Sequence, residues 1–152
     1  MIVTGLGGFD NQVYDIANLV VERSSIMEHL VKRADARATV TPNATMTTLA
    51  SPTLGATSGR SLWLVDMAAG ATGPMHVFDT EQIWTVIDGH AAIEIEGIAH
   101  AVDPGDTLVI RAGAERQVHA TTPCRMLVTG DAAAIASVPG ESESRGTPAW
   151  IS

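Results

Sequence analysis

The sequence predicts an all-β fold, an antiparallel β-barrel with an N-terminal helical extension, and three observations lead there. Short β-rich runs recur at residues 83–87, 91–95 and 107–110. They are separated by Asp88-Gly89 and Pro104-Gly105-Asp106, the residue types that tight antiparallel turns need. In Ala91-Ala92-Ile93-Glu94-Ile95-Glu96 apolar and acidic residues alternate, which gives a strand one buried and one wet face, as in a barrel wall.

In chain order, residues 10–36 read as the helical segment. Asp10 or Asn11 caps it, and Val13, Ile16, Ala17, Val20 and Val21 recur at helical spacing. Ser24-Ser25 interrupts the pattern before Ile26, Met27, Leu30 and Val31, so the segment is one helix or two. So apolar an arm is expected to pack on the barrel or across a partner. The Thr-rich stretch 39–53 has strand composition, with Pro42 and Pro52 making its ends edge-like. Residues 61–67 form the next strand, 68–73 a small-residue loop, and 116–120 and 124–130 two closing strands. The polar stretch 139–152 is expected to be a flexible tail whose Trp150-Ile151 docks on a neighbour. The organisation is thus an arm (1–38), a barrel (39–138) and a tail (139–152), with no internal repeat.

Composition sets the limits. With 152 residues, 45% hydrophobic and 17% charged, the chain suits one packed globular domain. A net charge of −8 argues against nucleic acid or an anionic membrane as partner, because both need basic patches. No apolar run approaches the roughly 20 residues of a membrane span, and MIVTGLGGFD lacks the basic start of a secretory signal. The single Cys124 excludes an internal disulfide, reads as core, and fits a reducing cytoplasm, where the protein is expected to reside. Open sheet edges and an apolar arm predict a homodimer.

The block from Gly73 to Gly89 and the block Pro104-Gly105-Asp106-Thr107-Leu108-Val109-Ile110-Arg111-Ala112-Gly113 resemble the two sequence motifs of the cupins, small jelly-roll barrels of the RmlC-like type. The resemblance, with flanking strands, covers about residues 45–130. It implies a cupin-type antiparallel jelly-roll barrel. It also places the family's metal-ligand positions on His76, Phe78, Gln82 and Arg116, of which only His76 is retained. Phenyl and guanidinium groups offer no lone pair to a cation, and Gln82 offers a neutral carbonyl oxygen. The resemblance therefore implies a barrel without its inherited metal site and without a cofactor. The EQIWTV stretch and Arg116-Gln117-Val118 are further similar to tetracenomycin-type polyketide cyclase cupins.

If that resemblance holds, His76, Phe78, Gln82, Trp84 and Val86 face the lumen with Arg116 and Val118, since side chains alternate along a strand. Apolar walls with convergent polar groups are the usual form of a small-molecule site. The leading expectation is a metal-independent cyclase or isomerase acting on an apolar carbonyl compound. In it His76 is the base, Arg116 the oxyanion partner and Gln82 the orienting group. Phe78, Trp84, Trp63, Val86 and Val118 are the substrate-contacting walls. A second expectation is a metal enzyme of dioxygenase type with a divalent transition metal on His76, Gln82 and His119; strict alternation places His119 on the outer face unless a bulge turns it. A third is a non-catalytic ligand-binding module. His90 and His100 are expected in solvent, and Asp106 in the hydrogen bonds of its turn.

Overall fold

The computed structural model describes residues 29–152. Most of the expected helical segment lies outside the described residues. Where that segment reaches them, it is not an α-helix: Arg33–Asp35 makes a single 3-10 turn with no buried residue, and a strand starts at Arg37. A helical turn without an apolar face to pack has nothing to offset its ordering cost.

Twelve strands follow. The first three are β1 (Arg37–Val40), β2 (Thr45–Ala50) and β3 (Arg60–Met67); next come β4 (Val77–Phe78), β5 (Gln82–Asp88) and β6 (Ala91–Ile95). The second half contains β7 (Ile98–Val102), β8 (Thr107–Ile110), β9 (Arg116–Ala120), β10 (Cys124–Asp131), β11 (Ala136–Ser137) and β12 (Ser144–Gly146). They form a six-stranded sheet, β1-β2-β3-β10-β5-β8, and two three-stranded sheets, β7-β6-β9 and β12-β11-β4. Every pairing is antiparallel. Backbone bridges Thr72–His119 and His76–Arg116 tie the loop before β4 to β9. This is the jelly-roll that the sequence predicts.

The Thr-rich stretch, read as one strand, is two: β1 and β2 form a hairpin about Pro42, with Thr41 and Ala44 closing the turn. β7 is an element that sequence reasoning missed. Its turn is Glu96-Gly97, both residues at positive φ (51° and 77°) as a two-residue hairpin demands, but glutamate is not the usual sign of such a turn. Four of the five β7 residues are also exposed, so no alternation marks it. The Pro104-Gly105 turn is as expected: Gly105 has φ 94°, and Asp106 N–H donates to Asp103 O at 2.9 Å. The Asp106 carboxylate accepts from Asp103 N–H, supporting that turn. Gly89 is required twice over. Its φ is 76°, and a Cβ there would sit 2.0 Å from Pro123 O.

Alternation on β3, β5 and β10 turns Trp63, Trp84 and Met126 into one core shared with Ile93 and Val118 of the β7-β6-β9 sheet. Cys124 is buried in it, and burial raises its thiol pKa. No helix among the described residues is long and apolar enough to cross a membrane.

The segment expected as a flexible tail is docked on the chain itself. Ile151 is fully buried in the core. The Trp150 carbonyl accepts from Thr48 Oγ1 at 2.8 Å, the Ile151 carbonyl from the Ser61 hydroxyl, and the Ser152 carbonyl from Arg37 Nη2 at 2.8 Å. The polar composition of 139–149 hides a two-residue apolar anchor at its end, which fills the barrel end beside β2 and β3. Ile151→Ala should therefore lower unfolding free energy in urea by about 2–4 kcal/mol; a loose tail would leave the midpoint unmoved.

Candidate functional site

Between the sheets lies a cavity of about 530 Å³, a size typical of small-molecule sites. Trp63, Val65 and Met67 of β3, Phe78 of β4, Gln82 and Trp84 of β5, and Val118 of β9 form its walls, with His76 from the loop before β4. The β1–β2 turn and the C-terminal segment, with Arg145, Pro148 and Trp150, rim its mouth. Of the residues expected at the site, His76, Gln82, Phe78, Trp84, Trp63 and Val118 are gathered here. Val86 and Arg116 are not on the wall. Val86 is buried in the core opposite Met126.

Arg116 is fully buried. Its Nε donates to Ala114 O (3.3 Å), Nη1 to Gln82 Oε1 (3.1 Å), and Nη2 to Ala114 O (3.2 Å) and Arg111 O (3.4 Å). Its guanidinium carbon lies 5.2 Å from the centre of the Phe78 ring, within cation–π range. Among the described residues no carboxylate meets it. Burial lowers its pKa to about 10, so it stays charged at neutral pH. A buried guanidinium is costly without anionic or strongly accepting partners, and here neutral carbonyls, an amide and a ring face take that part. Arg116 stands behind the wall as a positioning residue.

What Arg116 positions is Gln82. Its Oε1 accepts from two groups that only donate, Arg116 Nη1 and Trp84 Nε1, each at 3.1 Å. The amide orientation is thereby determined, and Nε2 is the atom left over. Nε2 is buried and has no hydrogen-bond partner among the described residues. An unmade bond of this kind costs about 1–3 kcal/mol. The amide with this unpartnered donor belongs to a residue of the cavity wall, and its carbonyl is pulled on by a cation.

His76 is locked in one tautomer. Nδ1 lies 2.8 Å from Pro74 O, an acceptor only, so Nδ1 carries the proton and Nε2 keeps a lone pair. Its ring packs edge-on against Phe78, centroids 5.2 Å apart. Burial, and secondarily the charge of Arg116, lowers its pKa below 6.5, against an opposing push from the Pro74 hydrogen bond. The imidazole is neutral at neutral pH and competent as a base.

The four positions at which the resemblance implies metal ligands do not fit a cation. Phe78 has no lone pair, Arg116 is itself a cation, and both lone-pair directions of Gln82 Oε1 are used by donors. His119 does not complete the alternative set. It lies on the outward face of β9, exposed, with Nδ1 2.6 Å from Thr72 Oγ1. Among the described residues no three His, Cys, Asp or Glu side chains lie together as a metal site. His90 is exposed beside Asp103, and Asp79 accepts from the backbone N–H of Ile135. Sequence reasoning missed Pro74, which sets the His76 tautomer, and Arg145 at the mouth. The first acts through its backbone and the second sits in a polar run, so neither left a signal.

The shift of His76 has a sign that can be checked. Above pH 6.5 the ring is neutral in folded and unfolded chains alike. Below 6.5 the unfolded ring takes up a proton that the folded one refuses, so stability falls with pH until the folded pKa is passed. Proton NMR of the His76 ring should show a pKa under 6.5 that rises in Arg116→Met. His76→Gln should flatten this part of the stability–pH curve.

Residues 63–130 match the family model of the cupin domain. No curated protein sequence matches the chain. Salicylate 1,2-dioxygenase from Pseudoaminobacter salicylatoxidans superposes with a TM-score of 0.61 at 18% identity, over 69% of this chain and 31% of that one. The chain thus spans about a third of the dioxygenase's length. An RmlC-like cupin from Shewanella frigidimarina NCIMB 400 gives 0.59 at 15% identity, over 69% and 91% of the two chains. KdgF from Halomonas sp. gives 0.58 at 20%, over 70% and 94%. Identities this low speak for the fold alone. The match over residues 63–130, the antiparallel jelly-roll and the two turn motifs agree on a cupin-type fold, to which this chain is similar.

Proposed function

We propose that the protein is a metal-independent enzyme for small carbonyl compounds, a cyclase or isomerase that forms an enolate inside the barrel. The observation that carries this reading is the unpartnered Nε2 of Gln82, held by Arg116 and Trp84 in the same apolar cavity as a neutral His76. His76 Nε2 takes a proton from carbon next to a carbonyl. The C–H electron pair becomes a C=C bond, and the carbonyl pair moves onto oxygen, where Gln82 Nε2–H meets the growing charge. In a cyclase the enolate carbon then bonds to a second carbonyl carbon of the same substrate, and the imidazolium returns its proton to the new alkoxide. In an isomerase the proton returns to a different carbon. Phe78, Trp63, Trp84 and Val118 hold the substrate folded and keep water out. Arg116 supports the oxyanion through Gln82 rather than by touching it. Oxidative metal chemistry, which the dioxygenase likeness raises, is not supported by the donor set at this site.

Edge strands β1 and β8 carry the exposed Val40 and Val109, which supports assembly as a homodimer. Sedimentation at micromolar concentration tests it, and a monomer there refutes it.

The enolate reading is tested with acetophenone in D₂O. The protein should accelerate exchange of the methyl protons next to the carbonyl. His76→Gln and Gln82→Leu should each lower that rate by about 100-fold or more. A wild-type rate no faster than that of the His76→Gln protein removes the reading; acetophenone bound without exchange would make the barrel a binding module.

A further inference from the structure

The six-stranded sheet has two faces, and the barrel uses the inner one. Trp63, Val65, Gln82, Trp84, Met126 and Val128 are turned inward and buried. The residues that alternate with them lie in register across the outer face. One row runs Thr47, Leu64, Leu127, Thr85 and Thr107, from β2 to β8. The next runs Leu62, Thr129, Ile83 and Val109, from β3 to β8. Neither row holds a charged side chain, in a chain that is 17% charged with a net charge of −8. A sheet face that meets only water alternates with polar residues; here five of nine positions are leucine, isoleucine or valine.

Charge returns at the ends of the two central strands, and its placement decides what this face can meet. On the outer side of β3 stand Arg60 at one end and Asp66 at the other; their register partners on β10 are Asp131 and Arg125. Each end therefore holds one cation and one anion, in reversed order at the two ends. Asp66 and Arg125 form an ion pair at 2.7 Å. Asp88 of β5, also in register with Arg125, lies outside this central quartet. A two-fold axis in the plane of the face has two simple settings. Along the strands, it lays β3 on the partner's β10, so that Asp66 faces the partner's Arg125 and Arg60 faces the partner's Asp131. Across the strands, it lays β3 head to tail on the partner's β3, and Asp66 faces the partner's Arg60. Both settings bring opposite signs together over a centre of leucine and threonine. A quartet of one sign would repel its own copy in either.

We propose that the outer face of the six-stranded sheet is the contact surface between two copies of this chain, packed sheet on sheet about a two-fold axis. At its widest the face measures about 24 Å across the strands and about 26 Å along β3 and β10, the scale on which a stable dimer buries roughly 800 Å² per partner. An uncharged centre with a self-complementary quartet lets two molecules of charge −8 meet. This contact is distinct from edge-to-edge pairing of β1 or β8, and it does not depend on the chemistry assigned to the barrel.

Analytical ultracentrifugation of the full chain at micromolar concentration should find a dimer. Leu64→Lys/Leu127→Lys should raise its dissociation constant by about 100-fold or more with an unchanged circular dichroism spectrum. Ile98→Lys, at an exposed apolar position on the other sheet, should leave it as it is. A second test guards against a folding effect by reversing charges only. Arg60→Glu/Arg125→Glu makes the quartet wholly acidic, and Asp66→Lys/Asp131→Lys makes it wholly basic. Each protein alone should dimerise more weakly than wild type, and an equimolar mixture should regain the dimer as one-to-one pairs. A dimer of wild-type affinity in Leu64→Lys/Leu127→Lys overturns the proposal and moves the contact to the strand edges. A mixture of the two charge variants that associates no better than either alone overturns the pairing of signs, and the proposal with it. A monomeric wild type overturns it as well, in favour of the chain's own residues 1–28 as the occupant. None of these results touches the enolate reading.

Discussion

A guanidinium sealed inside a barrel must be solvated by the protein, and in this structure that requirement arranges everything around it. Removing an ion from water costs several kcal/mol even after relaxation, and Arg116 recovers this from two backbone carbonyls, one amide oxygen and one ring face. The loop between β8 and β9 therefore has to curl back so that Arg111 and Ala114 present their carbonyls. Gly113, with φ 79°, permits that path, and its N–H donates to Phe78 O at 2.8 Å. Gln82 has to turn its oxygen toward the guanidinium, and Phe78 has to lay its face toward the charge.

Each of these adjustments appears again on the cavity side. Because the Gln82 oxygen is occupied, its N–H groups are the ones left without a partner among the described residues. Because the ring is buried and, as a smaller effect, a positive charge lies near it, protonating His76 is disfavoured. The barrel thereby keeps a fixed charge where the family resemblance implies a metal ligand, hydrogen-bonded to an amide of the cavity wall. At the other end, the mouth is built from the last residues of the chain. Ile151 anchors in the core and sets Trp150, Pro148 and Arg145 around the opening. Access to the cavity and the stability of that end of the barrel therefore depend on the same few contacts.

Much of this was legible in the residues. The D-G and P-G-D turns, the alternation on β6 and the β-rich runs sufficed for an antiparallel barrel, because hairpin geometry and side-chain period are local. His76, Gln82, Phe78, Trp84, Trp63 and Val118 were expected in one place and are there. β7 was not legible, since an exposed edge strand after a Glu-Gly turn has neither pattern nor signature. The tail was misread because burial of Ile151 depends on surfaces of β2 and β3 about a hundred residues away in sequence.

By itself the sequence determined the fold class and which side chains share a strand face, because both follow from the period of two along a strand and from turn chemistry. It also determined that three of the four positions where the resemblance implies metal ligands carry side chains other than the usual ones, while leaving His76, Gln82 and His119 open as another set. Only the tertiary structure decided which way the Gln82 amide points, which His76 nitrogen bears the proton, and that Arg116 supports the wall instead of lining it. Those depend on partners such as Ala114 O, Pro74 O and Trp84 Nε1, whose positions exist only once separate strands have been brought together.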